Sequence, residues 1–217
     1  MKDRGEKADP SKRKPDAGAG PEAEGAPAGP AVWKERILFL AFAIGGAVAD
    51  VLSKEVVFSA LGVKVVELQG RPFALAEREI PLIGETFKLQ AAVNPGAVFG
   101  IFQGKWLFLV VFGLVALGII GWVLYKSRNA GILLVSGLGL VCAGALGNLW
   151  DRLFFDGVVR DFLAFTSSLI APFVEGGRWP NFNLADVWIV VGIPLILIGD
   201  WRNTHKAGAP EKGGNSP

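Results

Sequence analysis

Acidic residues cluster at the ends of long apolar segments of this 217-residue chain. Asp151 and Asp161 follow one apolar run, Asp186 opens another, and Asp50 lies inside a third. Two aspartates that share a site cannot both ionise easily, so one of them keeps a proton near neutral pH. The ionised member can then act as a base on water while the other donates to a carbonyl oxygen. Such a pair would hydrolyse a peptide bond, whereas a looser cluster could bind a cation or relay protons, and the residue types leave both readings open.

The sequence contains few residues that could form a zinc site or a nucleophilic catalytic pair. The chain has one cysteine, Cys142, deep in an apolar run, and one histidine, His205, near the C-terminus. This scarcity argues against a Cys/His zinc site and against a Ser-His or Cys-His nucleophile pair. The net charge of +2 is too small to indicate a nucleic-acid partner. We expect no metal and no cofactor.

The elements that must position the acids are predicted membrane spans. Four segments approach the roughly 20 apolar residues that cross a bilayer, and they cover about residues 37–58, 106–125, 130–150 and 184–200. The link between the second and third spans reads KSRN, which is basic and therefore predicted to be cytoplasmic. Both termini are then cytoplasmic, and Asp50, Asp151, Asp161 and Asp186 all come near the outer boundary. A cleavable signal peptide ending before Asp50 is the rival interpretation of the first span, and we favour an uncleaved helix.

The predicted fold is an all-α membrane core, a bundle of four transmembrane helices. Residues 59–105 contain short β-type runs broken by Gly and Pro, which predict a small β-rich outer subdomain. An outer loop is expected between the third and fourth helices. Residues 1–32 and 203–217 are rich in Pro, Gly and charge, which predicts disordered cytoplasmic tails around a membrane domain at 33–202.

Local spacing suggests how several polar residues are used. Asp50 and Lys54 are four residues apart on one helical face and are expected to form an ion pair. Asn148 shares a face with Asp151 and Arg152, and Asn183 is placed to cap the helix that contains Asp186. Small residues recur every four positions at Gly139, Ala143 and Gly147, a spacing that favours close helix packing.

Five short motifs, in order along residues 37–200, resemble those of the lipoprotein signal peptidase family, the type II signal peptidases of bacteria. DVLSK is similar to that family's D-Q-x-x-K, and NPGAVFG to its N-x-G-A-A-F-G. GALGNLWDR resembles G-A-x-G-N-x-x-D-R, GVVRDF resembles V-x-D-F, and FNLAD resembles F-N-x-A-D. Each motif alone is weak, but five in order at a matching membrane depth form a specific signal.

The resemblance implies a membrane aspartyl endopeptidase of the bacterial inner membrane. Such an enzyme removes the signal peptide of a prolipoprotein just before a cysteine that carries diacylglycerol. Asp161 and Asp186 match the family's catalytic aspartates, and Asp151 is the contender for the first of them. Supporting or substrate-binding roles would fall on Asn94, Gly96, Asn148, Asp151, Arg152, Asn183, Asp50 and Lys54. The expected partners are a diacylated prolipoprotein and membrane lipids, and we expect a monomer.

Alternatives and departures remain at this point. The acids could instead serve a small multispan cation or proton carrier, or a family member that binds lipidated peptides without cutting them. Val51 replaces the family's usual Gln, and Arg160 directly precedes Asp161, where it could lower that carboxyl's pKa if it points inward. The interval from Asp161 to Asp186 is longer than the family pattern suggests, which predicts an enlarged loop or short helix capping the cleft. Aromatic walls of that cleft are expected from Phe99 and Phe102, whereas Trp179 is expected to anchor at the interface.

Overall fold

The computed structural model describes residues 30–68, 70–96, 101–127 and 130–207. Both predicted tails lie largely outside these ranges, as do Phe99 and part of the KSRN link. Four helices in the described chain are long and apolar enough to cross a membrane, which confirms the predicted spans. They are α1 (Pro30–Ala60), α2 (Trp106–Lys126), α3 (Ile132–Phe154) and α4 (Leu184–Ala207). α1, α2 and α4 extend beyond their predicted ranges, whereas α3 begins and ends slightly later than predicted.

Helix α3 lies at the centre of the bundle and packs against the other three helices. Its predicted small-residue stripe faces α1, where a Cβ added to Gly139 would lie 2.8 Å from Phe42 Cβ. Ala143 is fully buried beside Gly46 of α1. A second stripe faces α4, because a Cβ on Gly137 would lie 2.7 Å from the carbonyl oxygen of Gly192. Small residues on two faces therefore let α3 approach two neighbours closely.

Six β-strands lie at one end of the bundle. A hairpin of β1 (Lys64–Leu68) and β2 (Arg71–Leu75) forms a two-stranded sheet, and β3 (Ile80–Ile83), β4 (Phe87–Asn94), β5 (Val159–Thr166) and β6 (Arg178–Phe182) form an antiparallel sheet in that order. The predicted small β-rich subdomain is confirmed. The region between α3 and α4 is more than the expected loop, because β5 and β6 complete the sheet begun by β3 and β4.

The enlarged segment between Asp161 and Asp186 forms a compact turn after β5. It contains two short 3-10 turns, Ser168–Ile170 and Glu175–Gly177, and is closed at its base where Ser167 N–H donates to Gly177 O over 2.9 Å. The turn begins at Ser167, six residues beyond Asp161, which is about 20 Å along an extended strand. It therefore lies at the far end of the β5–β6 hairpin and does not cap the acids, contrary to expectation.

The sheet is joined to the helices through a small apolar core. Phe58, near the end of α1, packs with Phe162 and Leu163 of β5, and Phe87 and Phe182 pack against this group. At the other end of the bundle, Glu35 of α1 accepts the N–H groups of Ala130 and Gly131 at the start of α3. Polar contacts thus join α1 to the start of α3 at the end of the bundle opposite the sheet.

Candidate active site

Asp161 lies on β5, opposite Ala92 of β4. Its side chain is 3 % exposed, so the carboxyl is nearly out of reach of bulk water. Burial raises the pKa of Asp161 well above its usual range, and the negative charge of Asp186 raises it further. Lys54, Asn183 and Asn94 act in the opposite direction but do not cancel these effects. The surroundings of Asp161 therefore favour the protonated form of its carboxyl.

Asp186 lies in the first turn of α4, where it forms a reciprocal cap with Asn183. The Asp186 N–H donates to Asn183 Oδ1 over 3.1 Å, and the Asn183 N–H donates to Asp186 Oδ2 over 3.1 Å. This is a capping-box arrangement with Asn at the N-cap and Asp three residues later. It confirms the predicted cap and fixes the Asp186 carboxylate at the N-terminal end of the helix.

The fully buried Asn183 side chain joins the two acids. Its Nδ2 donates to Asp161 Oδ1 over 2.7 Å and lies 3.1 Å from Asn148 Oδ1. Since the backbone N–H of the same residue binds Asp186, both carboxylates are held by one asparagine. The shared asparagine holds the Asp161 and Asp186 carboxyls on the same side of the site.

Asn148 and Lys54 support this arrangement from α3 and α1. Asn148 Nδ2 donates to Asp186 Oδ1 over 3.0 Å, while its Oδ1 accepts from Lys54 Nζ over 3.2 Å. A cation at one end of the amide leaves only the nitrogen end to face Asp186. Lys54 therefore determines which way the Asn148 amide points.

A buried ionic network lies behind the acids. The predicted pair forms, with Lys54 Nζ 2.7 Å from Asp50 Oδ2, and Lys54 also lies 3.2 Å from Asp151 Oδ2. All three side chains are fully buried. Asp50 Oδ1 accepts the backbone N–H of Ala185 over 2.8 Å, so an acid of α1 also caps α4. Asp151 is thus paired with cations, unlike Asp161, and this supports Asp161 rather than Asp151 as the member of the acidic pair.

Arg160 does not point towards Asp161. Consecutive side chains of a strand face opposite ways, and the Arg160 guanidinium instead binds Asp151, with Nη2 3.0 Å from Asp151 Oδ1. Its Nη1 lies 2.8 Å from Glu55 Oε2. The expectation that Arg160 could lower the pKa of Asp161 is therefore not met, and that pKa is raised. No motif or local spacing predicted the contact of Glu55 with Arg160.

Arg152 and the segment after β4 form the remaining side of the site. Arg152 donates from Nη1 to Asn148 O and from Nη2 to Gly96 O, each over 3.1 Å. Asn94 Oδ1 accepts the Gly96 N–H over 3.0 Å, and the Asn94 side chain also lies within hydrogen-bonding reach of Asp161. Arg152 thereby ties the turn at Gly96 to α3 beside the two acids.

The structure brings together all ten residues that the sequence singled out, as one connected group. Of the predicted aromatic walls, Phe102 is partly exposed and packs on Phe108 with ring centroids 4.9 Å apart. Trp179 lies on β6 and is 40 % exposed. Across the described part of the chain, no group of three His, Cys, Asp or Glu side chains could hold a metal ion.

Comparisons with known proteins agree with this geometry. Residues 39–202 match the family model described as signal peptidase (SPase) II. A lipoprotein signal peptidase of Halothermothrix orenii is 37 % identical over 123 residues, covering 57 % of this chain and 76 % of the relative. Another, from Desulfitobacterium hafniense strain DCB-2, is 42 % identical over 134 residues, covering 61 % of this chain and 80 % of the relative.

The fold also has a solved counterpart. A bacterial membrane enzyme structure superposes with a TM-score of 0.61 at 24 % identity, covering 77 % of this chain and 90 % of the other. At that identity the match establishes the shared fold alone. The family model, which spans most of the chain, and the two relatives carry the assignment. This bacterial membrane protein belongs to the signal peptidase II family.

Proposed function

We propose that this protein is an aspartyl endopeptidase that removes signal peptides from diacylglyceryl-modified prolipoproteins, cleaving just before the lipidated cysteine. Membership of the signal peptidase II family and the names of its relatives support the substrate. The observation that carries the catalytic type is the Asn183 side chain and backbone, which bind Asp161 and Asp186 together. The presence of both acids also argues against the alternative that this is a family member which binds lipidated peptides without cutting them.

The two acids take different roles in this proposal. Asp161, buried and with a raised pKa, holds the proton and donates it to the oxygen of the scissile carbonyl. Asp186, partly exposed, acts as the base that takes a proton from the attacking water. The water oxygen forms a bond to the carbonyl carbon as these two proton transfers occur, which gives a tetrahedral intermediate. When the intermediate collapses, Asp186 passes its new proton to the leaving nitrogen, Asp161 recovers a proton from a hydroxyl of the intermediate, and the C–N bond breaks to release an acid and an amine. No covalent enzyme intermediate is required.

The site opens at the end of the bundle that carries the sheet. We propose that this end faces outward across the cytoplasmic membrane and that both termini are cytoplasmic, as the basic KSRN link favours. Exposed apolar side chains on the helices, such as Ile44, Phe112 and Leu197, would contact lipid. A substrate anchored by its diacylglycerol would then reach the acids from the outer leaflet. We further propose that the enzyme acts as a monomer.

The carrier alternative has no support in the family or in the relatives, whose names describe peptidases.

The test is cleavage of a purified diacylated prolipoprotein, with the product sized by electrophoresis or mass spectrometry. Asp161→Asn and Asp186→Asn should each abolish cleavage while leaving the protein in the membrane. Asp200→Asn is the matched control, because Asp200 is exposed at the opposite end of α4, and it should cleave normally. Normal processing by either dyad variant would refute the proposal. Cleavage by Asp161→Asn, together with none by Asp151→Asn, would instead assign the first acid to Asp151.

A further inference from the structure

Arg160 is a charged residue at a buried position of the GVVRDF motif. It is 4 % exposed and immediately precedes Asp161 on β5. A buried arginine is costly unless its donors find acceptors. The contacts of Arg160 therefore show which groups accept its hydrogen bonds. The motif did not predict those groups.

The main chain and the side chain of Arg160 both donate hydrogen bonds to the Asp151 carboxylate. The backbone N–H donates to Asp151 Oδ2 over 2.8 Å, and Nη2 and Nε lie 3.0 and 3.3 Å from Asp151 Oδ1. A planar guanidinium fixes direction as well as distance in such contacts. Arg160 is thus clamped to α3 at both its backbone and its side-chain end.

The guanidinium also reaches α1 and an aromatic ring. Nη1 lies 2.8 Å from Glu55 Oε2, and the guanidinium carbon lies 3.7 Å from the centroid of the Phe155 ring. The Arg160 carbonyl in turn accepts from Asn183 Nδ2 over 3.4 Å, the same nitrogen that binds Asp161. One residue therefore connects β5 to α1, to α3 and to the asparagine that joins the two acids.

We infer that Arg160 is a positioning residue, which holds the start of β5 so that the Asp161 carboxyl meets Asp186 at the correct distance. This inference rests on the proposed catalytic role of Asp161. The Arg160 side chain points away from Asp161 and Asp186. It therefore acts on them through the backbone of β5 and touches no substrate. A misplacement of about 1 Å in a catalytic group can cost on the order of 100-fold in rate.

A simpler role must be separated from this one, namely that Arg160 only neutralises the buried Asp151. Lys54 already lies 3.2 Å from Asp151, so one cation remains when Arg160 is removed. A neutralising role predicts that removing both charges, in the double variant Arg160→Ala/Asp151→Asn, restores activity. A positioning role predicts that the double variant stays impaired, since the clamp on β5 is still missing.

The experiment measures kcat and KM for cleavage of a diacylated prolipoprotein by the full-length protein. Arg160→Ala should lower kcat on the order of 100-fold with little change in KM. Arg160→Lys keeps the charge but lacks the planar guanidinium with its several donors, and it should lower kcat less. Arg78→Ala is the matched control, since Arg78 also ties an outer segment to α1, through the carbonyl of Ala60, but lies outside the network. It should retain the wild-type kcat.

Rescue by a small ion provides a readout that a purely structural defect would not show. Arg160 lines an open cavity of about 430 Å³, together with Glu55, Phe58 and Phe155. Guanidinium added at concentrations too low to unfold the protein should enter the space left in Arg160→Ala and raise kcat at least several-fold. Urea at the same concentration should not, and guanidinium should not rescue Asp161→Asn.

Three results would overturn the inference. These are a wild-type kcat in Arg160→Ala, full recovery in the double variant, and a loss of kcat that merely follows a loss of folded protein. If Arg160→Ala does not accumulate, Arg160→Lys decides, and an unchanged kcat there counts against positioning. Failure of the proposed function would look different, because Asp161→Asn would then cleave or the wild-type protein would not.

Discussion

Lys54 Nζ lies 3.2 Å from Asn148 Oδ1, although the two residues are 94 positions apart in the chain. The same amide donates from Nδ2 to Asp186 Oδ1 over 3.0 Å. A lysine of α1 therefore orients an asparagine of α3, which holds the acid of α4. The proposed dyad is thus supported by a chain of hydrogen bonds that runs through three helices.

Loss of the Lys54 charge should destabilise the protein strongly. Lys54→Met leaves the buried Asp50 carboxylate unpaired and Asp151 with one cation fewer, and breaking a buried pair in this way costs about 3–5 kcal/mol. Thermal unfolding in detergent measures the effect. Asp50→Asn/Lys54→Met, which removes both charges of the pair, should recover much of the lost stability. A double variant no more stable than Lys54→Met alone would contradict this account.

The raised pKa of Asp161 predicts how stability depends on pH. Between the ordinary carboxyl value of 3.8 and the raised folded-state pKa, the folded protein binds more protons than the unfolded chain. Stability from this group therefore falls as pH rises through that window and stays lower above it. Asp161→Asn lacks the effect, so its Tm should exceed that of the wild type at neutral and alkaline pH. The two Tm values should converge below about pH 4.

That comparison is checked by measuring Tm against pH for both proteins. Asp200→Asn serves as the control because Asp200 is exposed, and its curve should run parallel to the wild type. A parallel curve for Asp161→Asn as well would show that the folded state does not hold the Asp161 proton.

Gly147 is expected to tolerate no side chain. A Cβ added there would lie 2.9 Å from Asp50 Cγ, so Gly147→Ala must displace the carboxylate that pairs with Lys54 and caps Ala185. Overpacking of this kind costs about 1–3 kcal/mol, and cleavage should fall with it. Gly121→Ala in α2 is the control, since nothing lies within 4 Å of its added Cβ. Equal Tm values for the two variants would argue against the close approach of α1 and α3.

Arg152→Lys should weaken the site while keeping the charge. The guanidinium bonds Asn148 O and Gly96 O together, and one ammonium cannot reproduce both directions. Hydrogen bonds from charged groups contribute about 1.5–3 kcal/mol, which is roughly 10- to 100-fold in kcat/KM if one is lost. Steady-state cleavage by the purified variant measures this. A wild-type kcat/KM for Arg152→Lys would mean that the turn at Gly96 does not need both guanidinium hydrogen bonds.

Much of the molecule follows from the sequence alone. Apolar segments of about 20 residues determine four spans, because a bilayer leaves the backbone few other ways to satisfy its hydrogen bonds. Local spacing also determined the Asp50–Lys54 pair, the Asn183 cap and the small-residue stripe of α3, since each depends on residues within one or two helical turns. The five motifs identified the site residues by resemblance to a family.

Long-range pairing was decided only by the tertiary structure. The addition of β5 and β6 to the sheet of β3 and β4 depends on register between segments far apart in the chain, which no local pattern encodes. The direction of Arg160 was decided in the same way, because strand alternation turns it from Asp161 towards Asp151 and Glu55. The raised pKa of Asp161 likewise arises from burial and from Asp186, and both effects exist only once α4 packs beside β5.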